Sequence, residues 1–308
     1  MAATRIRFGG YQGAASVHTR AIAVFAHALE EHLGDQVAVQ VTANVGELGH
    51  KAADLLQLVE SGDFDLCYFS SSYLAKRVPA LGVLDLPFAL SAREGLFAAL
   101  DGALGRHLQA AIAEATGYRA LAFWDNGIRH LSNRVRPLRQ PADCAGLRIR
   151  TQDNAFHQEV FRALGFEPVA IDPSELPAAV RDGRVDAQEN PLTNLVNFGI
   201  HEHHPYVTLS AHLFGVAPVL VNRERYDAWP EAVRAGVRAA LDEATAAQQR
   251  FSRDDDVTCL ARLAEAGNRM RRLSAAERAA FAAAVAPIVD AERERVGSRI
   301  LALLGAST

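Results

Sequence analysis

Residues 4–69 alternate strand-like and helix-like segments in strict order, and that order constrains the fold more than any other feature. TRIRFGG alternates apolar and polar side chains with the period of a strand, then breaks at Gly9, Gly10 and Gly13. A helical stripe follows, Ile22, Phe25, Leu29 and Leu33, closed by Gly34. DQVAVQV reads as a second strand with Val37, Val39 and Val41 on one face, KAADLLQLVESG as a helix ending at Gly62, and FDLCYF as a buried strand. Strands joined by helical crossovers run parallel, and α/β proteins bind ligands in the loops at the carboxyl ends of such strands. Here those loops are GGYQGAAS and SSSY.

The pattern returns in style further on. YRALAFW and GLRIRT read as strands, NAFHQEVFRALG as a helix with Phe156, Val160 and Leu164 inward, and EPVAI as a short strand. SELPAAVRDG reads as a helix with Ser174 as N-cap, which puts Pro177 where its missing N–H is harmless. VDAQENPLTN follows as a loop, YVTLS and APVLVN as two further strands, and from Arg225 onward the chain is almost all helix, broken near Pro230, Gly267 and Pro287. The expected fold is α/β and two-lobed, with a ligand cleft between the lobes and long C-terminal helices.

Several function classes drop out. With 32 Lys and Arg against 36 Asp and Glu, net charge −4, there is no nucleic-acid footprint, and no apolar run is long enough to span a membrane. Cys67, Cys144 and Cys259 are too far apart for a CxxC or a metal set and read as buried thiols. GxGxxG, P-loop and GxSxG signatures are missing, so no nucleotide cofactor and no catalytic residues are expected. His201, Glu202, His203 and His204 lack metal-ligand spacing and read as a solvated loop. No metal is expected.

One strand carries a sharper question. In GLRIRT, Leu147 and Ile149 point to one face and Arg148 and Arg150 to the other. Arginine is rarely buried without a partner, so spacing alone leaves that face either wet or waiting for an anion.

At VDAQENP the chain resembles a family, the extracytoplasmic solute-binding subunits of TRAP (tripartite ATP-independent periplasmic) transporters. The likeness runs in order through RIRFGG, VGELGHKAADLLQLVESGDFDLCYFSSSYLA, LGVLDLPFAL, FWDNGIRHLSN, RPLRQPADCAGLRIRTQ, FRALGFEPVAI, RDGRVDAQENPL and VLVNRERYDAWPE. It implies a periplasmic-binding-protein-like fold with a hinge: one lobe from residues 1–124 plus 215–253, the other from 125–214 plus 254–308. It also implies capture of an organic acid, with Arg150 pairing with the ligand carboxylate, Asn190 hydrogen-bonding the same ligand and Arg129 assisting. A guanidinium's parallel donors match a carboxylate as lysine cannot.

Further candidates follow from that placement. Asn154 opens a helix beside Arg150, Tyr11 and Gln12 come from the first strand's loop, and Ser70 and Ser72 from the third. Trp124 and Phe214 sit at the crossovers, where packing and ligand contact are both open; His212 is either a ligand donor or, the favoured reading, structural. Glu189 is expected to brace its loop.

The sequence departs from the common pattern at Pro173 and Pro177, where many relatives carry aromatics, and at TQDNA, which lacks a usual proline. No export signal is visible ahead of the first strand, which fits either a cytoplasmic protein or a mature chain; the resemblance implies the periplasm, with the leader removed. The expected partners are a small organic acid and the membrane permease, the chain itself being a soluble monomer. The alternatives are a receptor presenting its ligand to a sensor and an enzyme acting on an acidic substrate.

Overall fold

The computed structural model describes residues 3–89 and 92–305, so Leu90 of the LGVLDLPFAL stretch lies outside it. The opening unit is β1 (Thr4–Gly9), α1 (Val17–Leu33), β2 (Val37–Thr42), α2 (Asp54–Glu60) and β3 (Leu66–Tyr68). β1 pairs parallel with both β2 and β3, as helical crossovers require. Ser16 caps α1 by accepting from the Thr19 N–H, and Ile22, Phe25 and Leu29 are fully buried on its inner face. Val41, expected to share the inner face of β2, is 41% exposed, because β2 is the outermost strand of the sheet.

After α3 (Arg93–Asp101) and α4 (Ala103–Ala115) comes β4 (Tyr118–Asn133), more than twice the length of the expected YRALAFW strand. The second unit is β5 (Arg148–Thr151), α5 (Ala155–Ala163), β6 (Glu167–Ala170), α6 (Leu176–Arg181), β7 (Ala187–Pro191) and α7 (Leu192–Asn197). Two expectations fail here. VDAQENPLTN is no loop but β7 and the start of α7, its polar side chains buried because they bond one another. The N-cap of α6 is Glu175, not Ser174, because Asp172 Oδ1 already accepts from the Ser174 N–H at 2.9 Å and its hydroxyl at 2.5 Å.

β8 (Tyr206–Asn222) joins the two strands expected over YVTLS and APVLVN into one, passing through Ala211 at φ 45°. The tail is α8 (Arg223–Ala228), α9 (Glu231–Glu265), β9 (Arg269–Arg272), α10 (Ala275–Val296) and α11 (Ser298–Gly305). It contains a strand that the helical composition hid. α10 runs through Pro287, since burial of Phe281, Val285 and Val289 outweighs one lost hydrogen bond.

Among the described residues the strands form one sheet in the order β2-β1-β3-β8-β4-β7-β5-β6, with β9 beside β8. β4 and β8 pair antiparallel along almost their whole length, with irregularities around Asp125 and Arg129. One end of this ribbon carries β3, β1 and β2; the other carries β7, β5 and β6. The result is two lobes, the sheet halves, joined by two continuous strands. α9 lies across both, against α1 and β4 on one side and α7 and β9 on the other. Cys67, Cys144 and Cys259 are buried and unbridged. His204 corrects the solvated-loop expectation: it is fully buried, its Nδ1 3.0 Å from the Ser132 hydroxyl.

Candidate functional site

β5 and β7 lie side by side and parallel, so Arg150 on the first and Asn190 on the second reach the same cleft. Arg150 is 2% exposed. Its Nε donates to the Ile171 carbonyl at 2.9 Å and its Nη2 to the Tyr73 hydroxyl at 3.1 Å. Among the described residues no carboxylate lies within 4.0 Å of it. Its neighbour Arg148, by contrast, is half-exposed and pairs with Asp186 at 2.8 Å, a structural companion.

Arg129 is as deeply buried but already neutralised. Its Nε and Nη2 donate to the two Glu189 oxygens at 2.5 and 2.6 Å, a bidentate pair across β4 and β7. Burial alone would raise the Glu189 carboxyl; the Arg129 charge, helped by His212, overrides it and holds that group well below the usual range. Glu189 therefore braces Arg129, and Arg150 remains the cavity's uncompensated positive charge.

Neutral amides complete the polar side. Gln12 donates to Asn194 Oδ1 at 3.4 Å, Asn194 to Asn190 Oδ1 at 3.2 Å, and Asn190 to Gln188 Oε1 at 2.6 Å. Tyr11 packs between Tyr68 and Phe69, ring centroids 5.1 and 4.7 Å away, and burial raises the Tyr11 and Tyr73 hydroxyls, keeping both protonated donors. Pro173, Leu176 and Phe198 form the apolar wall. The cavity leaves only about 10 Å³ for the centre of a water molecule, so a larger molecule enters only when the halves part.

The halves are held shut by polar contacts. Gln152 donates to Ser70 Oγ at 3.0 Å, and Asn154 Nδ2 to the Ser72 carbonyl and Asp85 Oδ2, each at 3.0 Å. Asp172 accepts from the Ala52 and Ala53 N–H groups at 3.1 and 3.0 Å, at the start of α2, and Lys51 pairs with Glu175 at 2.9 Å.

The structure thus brings Arg150, Arg129, Asn190 and Tyr11 together in the cavity wall, with Gln12 attached through Asn194. Ser70, Ser72 and Asn154 lie in the seam between the halves. Trp124 lies in the core, stacked on His18 and donating to Thr245 Oγ1 at 3.0 Å. Phe214 pairs with Ile128 in the β4–β8 ribbon, and His212 sits outside the wall, its Nδ1 2.8 Å from Ser210 Oγ and its Nε2 3.4 Å from Glu189.

Tyr73, Asn126, Gln152, Asn194, Leu176 and Phe198 line the cavity and were not singled out in sequence. A signal existed for some: Tyr73 is the aromatic of SSSY, Gln152 follows the arginine strand, and Asn194 lies one helical turn past Asn190.

A much larger cavity, about 760 Å³, lies elsewhere, between α5, α10 and the segment around Asp85. Asp85, Asp153, Glu159 and Glu292 line it against Lys76 and Arg295, the latter paired with Glu292, so the lining is net acidic and disfavours an anion. Chemistry, not volume, picks out the Arg150 cavity.

Two lobes closing on a buried, unpaired cation define a two-lobed solute-binding protein. The chain belongs to the bacterial extracellular solute-binding protein family 7, whose model matches residues 8–295. It is 33% identical over 227 residues to the C4-dicarboxylate-binding periplasmic protein DctP of Rhodobacter capsulatus, covering 73% of this chain and 68% of that one. It spans about half (54%) of an uncharacterized Sinorhizobium fredii protein, y4mM, to which it is 33% identical over 301 residues. Among solved structures it resembles the sugar acid binding protein DctPAm of Advenella mimigardefordensis in complex with galactonate, at 26% identity and TM-score 0.94, covering 100% of this chain and 98% of that one. A TRAP periplasmic solute-binding protein from Sulfurospirillum deleyianum with bound succinate matches at 26% identity and TM-score 0.93, with full coverage of both chains.

Proposed function

We propose that this chain is the solute-binding subunit of a TRAP transporter, capturing a carboxylate-bearing organic acid between its lobes in the periplasm and delivering it, as a monomer, to a membrane permease. The buried Arg150 guanidinium without a carboxylate partner carries this reading. Burying a charge costs several kcal/mol unless it is paired. A ligand carboxylate supplies the missing partner, and its two oxygens fit the guanidinium's parallel donors. Tyr73 reaches Arg150 from the opposite half, so the group that holds the anion also joins the halves. Release then requires only that the cleft reopen. No nucleophile paired with a base lines the cavity among the described residues, and the acid is handed on unchanged.

The test is a thermal-shift screen against organic acids, with Arg150→Ala alongside. A ligand at about 1,000 times its dissociation constant stabilises by about 4 kcal/mol, at roughly 2–4 °C per kcal/mol for a chain of this size. Related acids shifting the wild type but not the variant, and recovered intact by mass spectrometry, support the reading. Equal shifts in both proteins sink the assignment of Arg150.

A further inference from the structure

We infer that the Arg150 cavity takes a hydroxylated monocarboxylate in preference to a dicarboxylate. This rests on the reading that the cavity holds an organic acid, and it names which kind. Among its solved relatives one holds succinate and another galactonate, so family membership leaves the choice to this chain's own residues.

The first ground is the count of charges. Two arginines line the cavity, but the Arg129 charge is taken by Glu189 in a bidentate pair. A second ligand carboxylate near that pair meets no net positive charge and is repelled by Glu189. Among the described residues the lining holds no lysine and no third arginine. One uncompensated cation matches one carboxylate.

The second ground is independent of charge. Gln152 lines the cavity, and its Nε2 is used on Ser70 Oγ, leaving Oε1 buried without a donor. On the opposite side, Asn126 takes the His18 ring nitrogen on Oδ1 at 2.9 Å, and its Nδ2 makes no hydrogen bond among the described residues. The lining therefore offers a buried acceptor that lacks a donor, and an amide donor not committed to another residue. A hydroxyl group satisfies either one. An ionised carboxylate has no proton to donate and leaves Gln152 Oε1 unsatisfied.

The test is titration calorimetry of the purified wild-type protein with matched acids of two lengths. Erythronate, butyrate, malate and succinate cross one or two carboxylates with the presence or absence of hydroxyls at four carbons; gluconate and adipate repeat the main contrast at six. The expected result is that erythronate or gluconate binds about tenfold or more tighter than the dicarboxylate of its own length. A dicarboxylate binding as tightly as its hydroxylated counterpart overturns the inference while leaving the organic-acid reading intact; Gln152 would then present its amide nitrogen instead. Binding by none of the six overturns both. Gln152→Leu is expected to erase the preference for erythronate over butyrate, and an unchanged ratio counts against the hydroxyl argument. Glu189→Gln, which releases the Arg129 charge, is expected to raise succinate affinity about tenfold. Should that variant fail to fold, the wild-type series and Gln152→Leu still decide.

Discussion

Arg150 Nη2 donates to the Tyr73 hydroxyl at 3.1 Å, linking a side chain on β5 to one in the segment just after β3, on the far half of the sheet. Tyr73→Phe keeps the ring, which packs edge-on against Phe69, and removes only the bond. A hydrogen bond to a charged group is worth about 1.5–3 kcal/mol, so ligand affinity should fall by roughly ten- to a hundredfold. Calorimetry checks it, and an unchanged dissociation constant would remove Tyr73 from the site.

Asp172 acts across the cleft as a cap on α2. Its carboxyl is held below the usual range: burial opposes this, and the hydrogen bonds from Ser174, Ala53 and Ala52 outweigh burial. A depressed carboxyl contributes stability that is present above its unfolded value of 3.8 and is lost as pH falls through the lower folded value. Asp172→Ala should cost about 1 kcal/mol, the usual worth of a cap. Small-angle scattering should also find the unliganded variant more open than the wild type. Equal radii of gyration would mean that this cap does not hold the halves together.

Buried neutral histidines should make the protein acid-sensitive. Burial pushes His18 down to about 4, and His130 and His204 to about 3, against 6.5 for an exposed ring. Between those values the unfolded chain takes up protons that the folded chain refuses. The stability present above pH 6.5 is therefore lost as pH falls towards 4 and below. Urea midpoints across that window should decline, with a shallower slope for His18→Phe, which keeps the stack on Tyr68 and Trp124. A flat profile would contradict the neutral buried state.

The Arg129–Glu189 pair should be worth far less than the damage done by breaking it. Glu189→Gln leaves a buried guanidinium uncompensated, a loss of roughly 3–5 kcal/mol, whereas replacing both partners by methionine should lie much nearer the wild type. Denaturant unfolding of the two variants makes the comparison. If the double variant is no better than the single one, the pair's stabilisation exceeds its desolvation cost.

The opening α/β unit was legible because its buried faces are built from plain apolar periodicity, as in Ile22, Phe25 and Leu29. What misled was burial of polar groups. Gln188 and Glu189 are 0–1% exposed and read as a loop only because their partners, Ser132 and Arg129, come from elsewhere in the chain. β4 and β8 were cut short for a similar reason, since Asp125 to Gly127 and Ala211 to His212 interrupt the alternation at their bends. Arg150 and Asn190 were reached through motifs, and both line the cavity. Asn126 opens the motif that gave Arg129 but was not singled out. Phe198 was missed because no local pattern marks a residue that meets the others only after distant segments fold together.

The shared β4–β8 ribbon has a consequence for how the chain is made. Leu66 in β3 pairs with Val221 near the end of β8, so the N-terminal half cannot finish its sheet until the chain has been synthesised through Val221. At roughly 5–20 residues per second, that wait is on the order of ten seconds. Neither half is a separable folding unit, and contacts this distant in sequence slow the search for the native state. The two strands that join the lobes also oblige them to fold together.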